Sequence, residues 1–353
     1  MKIDQQRSVK TADSDGFLYY DVKESPFVIG GISNPSENYG EYYRLYADKK
    51  DIYSDQNRFL AACTAGGCVR FATDAEKISI RIKLRFAIVG MHHFCDRGVF
   101  GIDAYVGSGT DRKYIGFPMQ TFADSPELNI GSVNLPAGEN EVQINMPLYS
   151  GVESLEIGIP EGASLSAPSK RRNKAVAFYG SSITQGGCVS RPASAYTHIV
   201  CRRLDADCYN YGFSGSAMGE IPVAEHIASR ELSCFVMDYD YNSPSLEHLK
   251  ATHEPFFKRI REIQPNLPIV IVTHPYFAEP TEIDKKRIEI VRETYENAVA
   301  SGDKNVYFVD SSEFFSEEMR DLYAVDFLHP NDLGHFSMAE AIYPVVKNAI
   351  LNN

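Results

Sequence analysis

Residues 77–86, Lys-Ile-Ser-Ile-Arg-Ile-Lys-Leu-Arg-Phe, alternate polar and apolar side chains at every position. Successive side chains of a strand point to opposite faces, so this run predicts a strand with one face in a core and one in water. Weaker alternation over Gly98 to Val106, Glu127 to Leu135 and Glu141 to Leu148, between turn-rich breaks, predicts further short strands. Strands at this spacing predict an antiparallel β-sandwich of jelly-roll type over residues 1–160. Residues 161–172, rich in Ser, Ala, Gly and Pro, read as a linker. From residue 173 the pattern changes. Apolar runs near 174–179, 207–211, 234–238, 268–273 and 305–309 alternate with helical spacing near 193–204, 219–230, 245–263, 281–301 and 335–351. That alternation predicts an α/β domain over 173–353, a parallel sheet covered on both faces by helices.

Ligands of such sheets bind at the carboxyl ends of the strands, and the chemistry-bearing residues fall there. The run Ala175–Tyr179 leads into Gly180-Ser181-Ser182-Ile183-Thr184. A strand ending in a tight turn holds a serine hydroxyl at the sheet rim, within reach of a base. Asp326-Phe327-Leu328-His329-Pro330 places a carboxylate and an imidazole three residues apart. Serine is a weak nucleophile that needs a base, itself oriented by a third group. The expected roles are Ser182 as nucleophile, His329 as base and Asp326 as its orienter. Each segment alone also reads as ordinary structure, a Gly-Ser turn or an aspartate cap. Two further strand-end blocks, Asn210–Gly215 and Asp240-Tyr241-Asn242, shift the balance to catalysis. A glycine bares its backbone N–H and an asparagine amide supplies a second donor, as a developing oxyanion requires.

These four blocks resemble the SGNH hydrolase superfamily, also called GDSL-type esterases, over about residues 172–353. Ser182 stands at the nucleophile position of block I, Gly215 at the glycine of block II, Asn242 at the asparagine of block III, and Asp326 and His329 in block V, followed by Gly334-His335. The resemblance implies a flavodoxin-like sheet. It implies an oxyanion hole formed by the N–H groups of Ser182 and Gly215 with the Asn242 side chain, and ester hydrolysis through an acyl-enzyme without a cofactor. Two positions depart from the family pattern. Ser181 replaces the usual aspartate, and Asp-Tyr-Asn-Ser replaces Gly-x-Asn-Asp in block III. A β-sandwich ahead of such a domain is similar to the arrangement of carbohydrate esterases that remove acetyl groups from polysaccharides or oligosaccharides. An acetylated oligosaccharide, or another small ester, is therefore the expected substrate. The alternatives are a lipase or thioesterase, disfavoured by the lack of an amphipathic membrane helix, and a non-catalytic carbohydrate-binding protein, disfavoured because all four catalytic positions are kept.

The remaining features narrow this picture. Met91-His92-His93-Phe94-Cys95-Asp96 interrupts two strand-like segments. It reads either as an exposed loop or as one whose His92, His93 and Phe94 fold over the catalytic rim and contact substrate. No further ligands follow at metal-site spacing, so no metal is expected. The net charge is −12 without a long basic run, which argues against nucleic acid. Lys170-Arg171-Arg172 reads as a solvated hinge. The polar start Met1–Arg7 lacks a signal-peptide core, and no apolar run reaches membrane-spanning length. Seven cysteines without metal or redox spacing read as reduced, mostly buried thiols of a cytoplasmic protein. An oligomer is compatible with the sequence.

Overall fold

The computed structural model describes residues 12–88, 90–116 and 129–353. The segment Met1–Arg7 and the start of the expected strand at 127–128 lie outside these residues. Among the described residues, nine strands precede residue 161: β1 (Phe17–Asp21), β2 (Val28–Gly30), β3 (Cys68–Thr73), β4 (Lys77–Ala87), β5 (Asp103–Val106), β6 (Lys113–Gly116), β7 (Asn129–Asn134), β8 (Asn140–Asn145) and β9 (Ser150–Pro160). They form two antiparallel sheets, β1-β9-β4-β7 and β2-β3-β8-β5-β6. The alternation along β4 is realised. Ile78, Ile80 and Ile82 are fully buried and share one core with Val69, Phe71, Val142 and Ile144, while Arg85 is exposed.

One expected segment differs in type, and several strands, β9 among them, had no local signal. Residues 98–106 hold not one strand but the end of a short helix followed by β5, and the helical turn seats Gly98 against the Val189 carbonyl, where a Cβ would approach to 2.2 Å. β9 escaped prediction because glycines break its period. At Gly151 and Gly158 the rings of Phe86 and Tyr19 lie over the bare backbone.

Five parallel strands follow: β10 (Ala175–Gly180), β11 (Cys208–Gly212), β12 (Leu232–Asp238), β13 (Ile269–Val272) and β14 (Val306–Val309). Their order, β11-β10-β12-β13-β14, is the flavodoxin-like 2-1-3-4-5 arrangement. The helices are α1 (Asp55–Leu60), α2 (Asp96–Val99), α3 (Ser182–Gln185), α4 (Tyr196–Leu204), α5 (Ile221–Ala228), α6 (Leu246–Ile263), α7 (Glu282–Ala300) and α8 (Asp332–Leu351). Ala177 and Tyr179 of β10 pack under α5, α6 and α7. Val176 and Phe178, on the opposite face, pack under α4 and α8. No described helix is long and apolar enough to cross a membrane.

The two parts share a core. Tyr43, Leu45 and Leu60 join the cluster beneath α5–α7. Arg171 corrects the hinge expectation. Its guanidinium is buried and donates to Asp207 at 2.8 Å and Asp205 at 3.3 Å, and Arg112 meets the same Asp205 at 2.6 Å. The basic run is thus partly an ion-pair seam between the antiparallel sheets and the α/β part.

Candidate active site

β10 ends at Gly180, where a Cβ would come within 2.1 Å of the Asp238 carbonyl, so only glycine lets the chain turn there. Ser181 then caps α3, its hydroxyl accepting from the Ile183 N–H. The serine in place of the family aspartate therefore still supplies a capping oxygen. Ser182 opens α3. Its Oγ lies 3.0 Å from His329 Nε2, and His329 Nδ1 lies 3.0 Å from Asp326 Oδ2. The other carboxylate oxygen, Oδ1, accepts the backbone N–H of Leu328 (2.8 Å) and of His329. Burial pushes the Asp326 carboxyl up, but the His329 ring and these two N–H groups outweigh it and hold the group below its ordinary range. An ionised carboxylate only accepts, so Nδ1 carries the imidazole proton and Nε2 is left to accept from Ser182. Ser182 and His329 are both about 9% exposed, enough for a substrate carbonyl to reach them.

Gly215 takes φ +69°, and a Cβ there would meet nothing within 4 Å. Its constraint is conformational rather than steric. Asn242 donates through Nδ2 to the Phe213 carbonyl at 3.0 Å, which ties block III to block II, and a second N–H remains on the same amide. Behind it, Asp240 Oδ2 accepts from His274 Nδ1 at 2.7 Å, and Arg287 donates to the Asp240 and Ser243 carbonyls. Burial opposes ionisation of both partners. Their mutual attraction wins, lowering the Asp240 pKa and raising that of His274. Asp238 accepts from Thr184 and Tyr196, and burial with Asp240 nearby pushes its carboxyl up to about 8.

The loop after β4 reaches the site. The His93 ring lies 5.3 Å and the Phe94 ring 5.9 Å from that of His329, centroid to centroid. His92 is exposed, and the ring contacts to His329 come from the two residues after it, His93 and Phe94. Phe94 packs edge-on against Tyr149, whose hydroxyl donates to the Ser182 carbonyl at 3.0 Å. Tyr149 was not foreseen, because a tyrosine beside a strand is an ordinary core residue. Arg44 was missed because two of its partners lie more than 160 residues further along the chain. It is fully buried and donates to the carbonyls of Asn210, Gly212 and Leu60, each at 2.7 Å, with its guanidinium 4.7 Å from the Phe213 ring. Cys188 also lies here, next to His93 and His329. Burial pushes its thiol up to about 12, so it is no rival nucleophile at neutral pH.

Residues 173–347 match the model of the GDSL-like lipase/acylhydrolase family, and residues 17–165 match the N-terminal part of SGNH-hydrolase-type esterases. Similar solved structures include a protein described as a GDSL-like lipase from Bacteroides ovatus, 24% identical over 95% of this chain and 98% of that one, with a TM-score of 0.84. A salicylyl acyltransferase from a tetracycline biosynthetic pathway is 18% identical over 94% and 96%, with a TM-score of 0.76. A family two carbohydrate esterase from Clostridium thermocellum, in complex with cellohexaose, is 17% identical over 80% and 92%, with a TM-score of 0.60. At these identities the likeness is one of fold. No curated protein matches the chain.

Proposed function

With residues 173–347 belonging to the GDSL-like lipase/acylhydrolase family, the chain is an esterase of SGNH type, and we propose that it removes O-acetyl groups from a carbohydrate through an acyl-enzyme. The observation that carries the catalytic reading is the line Ser182–His329–Asp326, with both junctions at 3.0 Å. Ser182 Oγ attacks the ester carbonyl as its proton passes to His329 Nε2. The N–H groups of Ser182 and Gly215, with the free N–H of the Asn242 amide, receive the oxyanion. His329 then protonates the sugar oxygen as its bond to the acyl carbon breaks, so the sugar leaves as an alcohol and the acyl group stays on Ser182. Water, deprotonated by the same imidazole, releases acetate. No cofactor has a place in this sequence of steps.

The carbohydrate part rests on the aromatic and imidazole wall of His93 and Phe94 beside His329, and on a neighbour of the same fold solved with a cello-oligosaccharide. His92, on the same exposed loop, is assigned to the acceptor side of the substrate. Such a wall suits the face of a sugar better than an extended acyl chain. Seven free cysteines, all but Cys95 buried, support a reducing, cytoplasmic setting. The test compares two substrates. Shortening the Met91–Asp96 loop should spare hydrolysis of a small aryl acetate and impair that of acetylated oligosaccharides at least about tenfold in kcat/KM, roughly 1.4 kcal/mol of substrate contact. Parental activity on both substrates would leave the carbohydrate reading without support.

A further inference from the structure

Among the described residues, the site brings together a cysteine and two histidines in a combination that ester hydrolysis does not require, although His329 and His93 also serve that reaction. His93, Cys188 and His329 each offer a ligand atom, and the three atoms lie within 4.8 Å of one another. They come from three separate segments: the loop after β4, the turn after α3 and the loop before α8. Two imidazoles and one sulfur form the donor set of a thiophilic divalent cation. Around a tetrahedral ion with bonds of about 2.0–2.3 Å such atoms stand roughly 3.3–3.7 Å apart, so a contraction of at most about 1.5 Å separates the present cluster from a bound one. Cys188 also holds φ +67°, a left-handed conformation that costs a non-glycine residue on the order of 1 kcal/mol. In that conformation its sulfur lies within 4.8 Å of a ring nitrogen of each histidine. His93 is exposed, so an ion has a path from solvent.

We propose that His93, Cys188 and His329 form an inhibitory site for zinc or another thiophilic divalent cation. The regulatory half of the proposal rests on the esterase reading. Both ring nitrogens of His329 are committed to catalysis, Nε2 to Ser182 and Nδ1 to Asp326. An ion on either one removes the base. On binding, the cation exchanges water ligands for two imidazoles and the Cys188 sulfur, and the thiol proton leaves to solvent. No electron moves. Displacing that proton selects ions with strong sulfur affinity and excludes Mg²⁺ and Ca²⁺.

The experiment uses the full chain with two readouts. Zn²⁺ should inhibit aryl acetate hydrolysis, EDTA should restore it, and Mg²⁺ should have no effect. The Cys188→Ala variant should turn over normally without metal and need at least about tenfold more Zn²⁺ for half-inhibition. Co²⁺, as a spectroscopic probe, should give thiolate-to-cobalt charge-transfer absorption in the parent, weaker in His93→Ala and lost in Cys188→Ala. Equal Zn²⁺ inhibition of parent and Cys188→Ala, or no thiolate band in the parent, would overturn the site. The cobalt arm needs no ester turnover. A band without any hydrolysis would keep the ion site and sink the esterase reading instead.

Discussion

Gly215 and Asn242 differ in what a substitution would do to them. At Gly215 there is space for a side chain but not the backbone freedom, since φ is +69°. A valine there should turn the peptide rather than clash, and take its N–H off the oxyanion. Asn242→Ala removes the amide and also leaves the Phe213 carbonyl without that donor. Each change is expected to lower kcat by about 10²–10³ with KM little moved, because the donor acts mainly in the transition state. Steady-state kinetics on an aryl acetate check this, and a change confined to KM would make the residue a ground-state contact. Asp326→Asn leaves one oxygen where the carboxylate used two. Either the histidine loses its acceptor or the two N–H groups do, and turnover should fall by about 10²–10⁴. Replacing Asp326 without loss would reduce the site to a Ser182–His329 pair. At this scale the sequence displayed the residues whose chemistry is unusual for their position, a serine at a strand end and Asp-x-x-His in a turn. Tyr149 and Cys188 carry no such mark, since their roles arise from contacts made across the chain.

Elements hold these residues in place, and α8 does so through His335. Its Nε2 donates to the Gly187 carbonyl at 3.0 Å, and its Nδ1 accepts from the Tyr196 N–H at 3.2 Å. The first turn of α8 is thereby clamped to the turn after α3 and to the start of α4. Burial lowers the His335 pKa to about 4. The folded protein keeps this ring neutral while the unfolded chain, near 6.5, takes up a proton. Below about pH 6.5 the unfolded state therefore binds more protons, and stability is lost as pH falls towards 4. From this group alone the loss at pH 5 is about 2 kcal/mol relative to pH 7. Urea unfolding at the two pH values checks it: the pH 7 to pH 5 difference should shrink by about that amount in His335→Phe, and an unchanged difference would contradict the burial argument. The helices of the α/β part were legible because long runs at helical spacing come with their own caps, as with Thr281 before α7 and Asp284 in its first turn. β9 was not legible, because its pattern is completed by rings from other strands packing on Gly151 and Gly158.

For the whole molecule, the alternating and continuous apolar runs were enough to separate an antiparallel part from a parallel one, but not to show how the two meet. That meeting is made by Arg44 and by the Arg112–Asp205–Arg171 seam, long-range pairings no local pattern announces. Arg44 carries a buried charge held by backbone carbonyls on both sides of the junction. Burial lowers its pKa to about 10, which leaves it charged at neutral pH. Arg44→Met should destabilise the chain by about 3 kcal/mol, since the stranded carbonyls of Asn210, Gly212 and Leu60 outweigh the charge no longer buried. It should also lower kcat, because block II loses its anchor. Denaturant midpoints and kinetics on the same sample check both, and stability at or above the parent's would show that desolvation of the guanidinium dominates. The account as a whole stands on Ser182 as the nucleophile of an ester hydrolase. The most direct measurement is aryl acetate turnover by the intact chain and by Ser182→Ala, with mass spectrometry of acid-quenched samples. The account predicts a loss of at least about 10³-fold in the variant, and one acetyl increment on the Ser182 peptide in the parent alone. Near-parental turnover by folded Ser182→Ala would contradict it.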